Sequence, residues 1–265
     1  MKTVVPVEGC AIWADDTGGP GAGSFDAGGR DAVVLLHPGW GDARIWDDVL
    51  ARLTGRRRVV RYDTRGYGSS PPPAAPFTQV RDLIAVLDQL EIARAVLVGH
   101  SGGGGTAIGL AIDQPHRVSA LVLLAPGVPD YPWPGDDPYW QQFEAAFTAG
   151  DPDALAALGM RTWAAASADP AAKAQIRAAV AAFFRLGDFE QPDPPAFSRL
   201  GEIAVPAVVA VGDLEYPMVA DCGRAVAERI PNCQLITVPG ADHLLPLRAP
   251  ELIADLVDQD GAVKR

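Results

Sequence analysis

Ser101 stands in Gly99-His100-Ser101-Gly102-Gly103, directly after the apolar run at 95–98 and before a stretch of helical composition at 106–113. A chain that turns sharply from strand into helix needs small residues at the turn. Gly99 and Gly103 supply them, so the Ser101 hydroxyl is expected above the strand end and the Gly102 N–H at the helix start. That geometry suits a nucleophile with an anion-stabilising donor beside it. The stretch 99–106 also reads as a glycine-rich phosphate loop, but Gly105 stands where that loop needs Lys. The strand at 121–124 then ends in Ala-Pro, with no Asp for Mg²⁺, so phosphate binding is rejected.

A serine hydroxyl is a poor nucleophile at neutral pH without an adjacent base, and histidine is the side chain that titrates there. The chain has four histidines. His37 follows a strand and is read as a brace for the next loop, His100 as packed inside the turn, and His116 as an exposed helix end. His243, in Pro239-Gly240-Ala241-Asp242-His243 just past the last apolar run, is the expected base. A carboxylate should orient its imidazole and stabilise the charged form. Gly212-Asp213-Leu214-Glu215 follows another strand and offers Glu215, favoured, with Asp213 as the alternative. The loop His37-Pro38-Gly39-Trp40 can aim a backbone N–H at Ser101. Pro38 has none, so Gly39 or Trp40 must donate, alongside Gly102.

These residues need a scaffold. Short continuous apolar runs recur at 32–36, 58–62, 95–98, 118–124, 207–211 and 234–238, as strands buried on both faces do. Helical spacing lies between them, at 45–53, 80–90 and 106–113. The alternation implies βαβ units and a mainly parallel sheet, with an N-terminal strand pair over 4–14 and a glycine-rich surface loop over 17–29. The pattern breaks between about 127 and 203. There Pro/Asp/Trp-rich loops precede Ala-rich helical stretches at 153–158 and 171–186, and aromatics concentrate. We expect a helical cap at 127–203, inserted after the sixth strand, on a core domain of 1–126 and 204–265. Most of its aromatics should form its own core, while Trp40, Trp133, Trp140 and Phe143 are the expected substrate contacts. The aromatic content suggests an apolar or aromatic small-molecule substrate.

The 265 residues carry a net charge of −11, from 22 basic and 33 acidic side chains. Such a surface cannot neutralise a run of phosphates, so no nucleic-acid partner is expected. Three cysteines, Cys10, Cys222 and Cys233, form no closed disulfide framework and read as free thiols. The N-terminus lacks the continuous apolar stretch of a signal peptide, and no segment is long and apolar enough to span a bilayer. The expected setting is cytoplasmic, without a membrane partner, metal or cofactor; a homo-oligomer stays open.

Taken together these motifs resemble the α/β-hydrolase superfamily over almost the whole chain. His37-Pro-Gly-Trp resembles its oxyanion loop, and Tyr62-Asp-Thr-Arg-Gly-Tyr-Gly-Ser-Ser its Asp-x-Arg-Gly-x-Gly-x-Ser turn. The latter implies that Asp63 and Arg65 lock loops and do no chemistry. Gly99–Gly103 resembles the nucleophile elbow, Gly212-Asp-Leu-Glu the acid turn, and Pro239-Gly-Ala-Asp-His the histidine loop. The order serine, acid, histidine is the family's. Glu215 stands where the family usually has Asp, and Pro38 replaces the usual Gly, which leaves Gly39 as the donor by position. The loops after 36 and 61 are similar to the esterase and enol-lactonase-like branch. The resemblance implies an α/β-hydrolase fold and a serine hydrolase of carboxylic esters or lactones. The alternatives are a carbon–carbon bond hydrolase or another specialised member, and a non-catalytic small-molecule binding protein that kept the fold.

Overall fold

The computed structural model describes residues 1–18 and 29–261. Most of the loop expected at 17–29 lies outside the described residues. Among the described residues eight strands form one sheet in the order β1-β2-β4-β3-β5-β6-β7-β8. β1 (Lys2–Val7) and β2 (Cys10–Asp16) are an antiparallel hairpin, and β2 pairs antiparallel with β4 (Val59–Tyr62). The rest, β3 (Ala32–Leu36), β5 (Ala95–His100), β6 (Val118–Leu124), β7 (Ala207–Gly212) and β8 (Cys233–Val238), join β4 in parallel. This is the expected α/β-hydrolase fold.

The continuous apolar runs have the cause expected of them. β3, β5 and β7 are buried at every position, because helices cover both faces. Side chains alternate across a strand, so Val33 and Leu35 enter one core layer while Val34 and Leu36 enter the other. The first layer holds α1 (Asp47–Leu53) and α8 (Pro250–Asp258). The second holds α2 (Gln79–Gln89), α3 (Gly102–Asp113) and α7 (Pro217–Arg229). β8 lies at the edge, and there the burial becomes partial.

Between β6 and β7 the chain inserts α4 (Pro138–Thr148), α5 (Pro152–Trp163) and α6 (Pro170–Phe183). Each starts at Asp-Pro. The aspartates Asp137, Asp151 and Asp169 accept a backbone N–H of the first turn, and proline is suited to the first helical position, where no N–H partner is needed. The sequence reading put a loop where α4 stands; the Asp-Pro start and the Tyr139/Phe143 spacing make it a helix. Among the described residues no helix is long and apolar enough to cross a membrane. The three cysteines are free.

Candidate active site

Ser101 follows β5 and caps α3 with φ +53° and ψ −119°, a conformation that L-residues occupy only when their surroundings enforce it. The enforcement is close packing. A Cβ on Gly99 would lie 2.5 Å from the Gly103 carbonyl oxygen, and one on Gly103 2.5 Å from that of Leu36. The Ser101 N–H donates to the Leu124 carbonyl at 2.9 Å, and its own carbonyl accepts from Gly104 and Gly127 at 2.8 and 3.0 Å. Gly102 opens α3, so its N–H has no intrahelical acceptor.

His243 is buried, and its Nδ1 lies 2.9 Å from Glu215 Oε2. The other Glu215 oxygen accepts the Tyr216 N–H at 2.8 Å. Asp213, by contrast, is exposed and accepts the Gly240 N–H at 2.7 Å. Of the two candidate acids it is therefore Glu215 that the fold brings to His243, while Asp213 pins the neighbouring loop. His100 is fully buried, as expected, and donates Nε2–H to the His243 carbonyl at 2.6 Å. Burial, then the neighbouring His243, holds its pKa well below the ordinary imidazole value, so the ring stays neutral.

The loop after β3 is set by side chains that bond its backbone. His37 Nδ1–H donates to the Pro38 carbonyl at 2.8 Å, and its Nε2 accepts the Thr64 N–H at 3.0 Å. In a planar trans peptide, C=O and N–H point opposite ways. Holding the Pro38 carbonyl therefore fixes the direction of the Gly39 N–H. Asp63 accepts the Ala43 and Ser69 N–H groups, both at 2.8 Å, and Arg65 forks onto Asp82 with two 2.7 Å bonds. Asp63 ties the loop after β3 to the loop after β4, and Arg65 ties the latter to α2, a structural role of the kind the resemblance implied. On the far side Gln175 of α6 accepts the Asp42 N–H at 2.9 Å.

A cavity of about 640 Å³ opens over these groups, bordered by Ser101, Gly102, Gly39 and His243. Trp40, Trp133, Trp140 and Phe143 all line it, with Trp140 at the exposed rim. The Trp40 indole donates to the Tyr139 hydroxyl at 2.9 Å, so Trp40 serves as wall through its rings. Sequence reasoning missed Tyr139, Trp163 and Phe183 as further lining, and a polar stretch formed by Thr64, Tyr67, Gln79, Glu190 and Asp193. Those five come from three separate segments with no shared spacing, and only Thr64 and Tyr67 sit inside a recognised motif. Trp163 packs on the imidazole of His243, with centroids 4.6 Å apart. Among the described residues no group of three His, Cys, Asp or Glu side chains could hold a metal ion.

Comparison with known proteins agrees with the fold. Residues 33–256 match the model of the family described as the alpha/beta hydrolase family. A protein of Caulobacter sp. (strain K31) named as a carbamate hydrolase, RutD, is 26% identical over 242 residues, covering 85% of this chain and 88% of its own. The 2-hydroxymuconate semialdehyde hydrolase of Pseudomonas sp. (strain CF600) is 39% identical over 114 residues, 40% of each chain. Among solved structures, the enol-lactonase from Burkholderia xenovorans LB400 superposes with a TM-score of 0.77 at 23% identity, covering 97% of this chain and 98% of that one.

Proposed function

This chain belongs to the α/β-hydrolase family, and from that premise we propose that it is a serine hydrolase of carboxylic esters or lactones, acting through an acyl-enzyme on Ser101. One observation carries the reading: a serine held at positive φ borders the same cavity as a histidine whose Nδ1 is engaged by a buried glutamate. In this mechanism Ser101 Oγ attacks the substrate carbonyl and His243 Nε2 takes its proton. Glu215 keeps the other ring nitrogen protonated and stabilises the imidazolium. The Gly102 N–H at the start of α3 and the Gly39 N–H, directed by His37, hold the oxyanion. His243 then returns the proton to the leaving alkoxide. A water, deprotonated by His243, attacks the acyl carbonyl, and the imidazolium passes that proton to the departing Ser101 Oγ as the carboxylic acid is released. The walls formed by Trp40, Trp133, Trp140 and Phe143 favour an apolar or aromatic acyl or alcohol group.

The test is hydrolysis of a p-nitrophenyl ester series by the wild type and Ser101→Ala, with fluorophosphonate labelling of both. Turnover and labelling by the wild type, both lost in the variant, support the proposal. A wild type that is labelled but turns over no ester points to the second reading, a carbon–carbon bond hydrolase, which the local likeness to the 2-hydroxymuconate semialdehyde hydrolase favours. No labelling at all refutes the triad and leaves a binding protein.

A further inference from the structure

Asp242 precedes His243 and takes no part in the steps above, yet it is fully buried. A buried carboxylate persists only when it is paired and hydrogen-bonded. Its Oδ1 accepts the Leu244 N–H at 3.0 Å and Arg248 Nε at 3.1 Å. Its Oδ2 accepts the Ala166 N–H at 2.9 Å and Arg248 Nη2 at 3.1 Å. The same guanidinium donates to the Ser167 carbonyl at 2.7 Å and to Asp169 Oδ2, the residue that caps α6. One carboxylate and one guanidinium thus bind the segment between α5 and α6 to the turn that carries His243. That segment begins just after Trp163, the residue packed on the His243 ring.

We propose that Asp242 and Arg248 are positioning residues: through them the inserted helices hold the His243 loop in the pose that serves Ser101. The inference rests on the function proposed above, but its geometry does not. The Oδ1 bonds close the turn around His243, and the Oδ2 bonds reach across to the insertion. Loss of Arg248 leaves Asp242 buried without its cation and frees Ser167 and Asp169 together. The loop then has reason to move toward water, carrying the imidazole with it.

The experiment compares wild type, Arg248→Gln, Arg248→Lys and Asp169→Asn. It measures kcat and KM on p-nitrophenyl butyrate, the rate of fluorophosphonate inactivation, the melting temperature, and the imidazole NMR signals of His243. A displacement of the base by a fraction of an ångström to one ångström costs about ten- to a hundredfold. Arg248→Gln should therefore lower kcat and the inactivation rate together by about tenfold or more while KM moves less than about twofold. Arg248→Lys, with a point charge but no fork, should recover part of the loss. Asp169→Asn keeps an oxygen for the α6 cap, removes the charge facing Arg248, and should shift kcat the same way by less; it carries the test if Arg248→Gln does not fold. Unchanged kcat and inactivation with a lower melting temperature would reduce the clasp to a structural tie and overturn the proposal. So would a rise in KM alone. If the wild type hydrolyses no ester, the functional reading fails separately, and His243 signals that are identical in wild type and Arg248→Gln overturn the clasp by themselves.

Discussion

Glu215→Gln beside Asp213→Asn tests the base–acid pairing most sharply, because the two carboxylates lie two residues apart and the fold gives them different work. The Glu215 side chain is fully buried against His243. At a charge separation of about 4 Å and an effective dielectric of about 20, its attraction for an imidazolium is about 4 kcal/mol. At 1.36 kcal/mol per decade, losing that stabilisation where the imidazolium forms costs about three decades in kcat. Glutamine adds a second penalty: its amide nitrogen can donate to Nδ1 and turn the ring to the wrong tautomer, which raises the expected loss to about 10³–10⁴-fold. Asp213→Asn keeps an oxygen for the Gly240 N–H, is exposed, and should change kcat by less than about threefold. The assay is kcat/KM on one p-nitrophenyl ester under pseudo-first-order conditions, with melting curves to show that both variants fold. Equal losses in the two variants, or more than a tenth of wild-type activity in Glu215→Gln, would refute the reasoning.

Ser101→Gly should abolish turnover and yet raise stability by about 1 kcal/mol, seen in chemical denaturation, because glycine adopts the +53° φ without strain. Gly103→Ala places a methyl against the Leu36 carbonyl, which is backbone and cannot step aside; it should cost about 1–3 kcal/mol in the same assay and slow fluorophosphonate labelling. Asp193 has its carboxyl pushed above the ordinary value, chiefly by burial and against the bond it accepts from Val80. A raised carboxyl pKa means that ionisation opposes folding, so the cost is present at neutral pH and vanishes once the group is protonated in both states. Asp193→Asn, which keeps the acceptor for Val80, should therefore melt higher than wild type at pH 7, with the difference shrinking as the pH falls through the carboxylate range.

The parts of this molecule legible in its sequence are those where local and global requirements coincide. β3, β5 and β7 are apolar at every residue because both faces are covered, and the run length alone reports it. The elbow is legible because only glycine tolerates the approach of the Gly103 and Leu36 carbonyls. Glu215 could be favoured over Asp213 but not separated from it, since the choice depends on which way the turn aims each side chain. α4 was missed because its stretch is crowded with proline, aspartate and tryptophan, although Asp137-Pro138 is itself a helix start. The polar lining at Gln79, Glu190 and Asp193 left no signal, because α2 and the stretch after α6 meet only in the folded chain. Asp242 was visible but had no assigned purpose, its partners lying 76 residues upstream and 6 downstream.

The order of strands explains why so many side chains outside the proposed triad are needed. Ser101 follows β5, Glu215 follows β7 and His243 follows β8, all at carboxyl ends of parallel neighbours. β5 and β8 are three spacings apart, about 14 Å at 4.8 Å per strand, which no imidazole spans. The loop after β8 must therefore lean across the tops of β7 and β6. Its path is marked by bonds: Asp213 N–H to the Val238 carbonyl at 3.1 Å, Leu214 N–H to that of Ala241 at 3.0 Å, and His100 to that of His243 on β5. Gly212 permits the crossing, because a Cβ there would collide with the Ala241 carbonyl. These contacts hold the loop against the strand ends. Asp242 adds a tie to the segment between α5 and α6, through the Ala166 N–H and through Arg248, so on the proposal above the insertion that walls the cavity also keeps the histidine where the chemistry needs it.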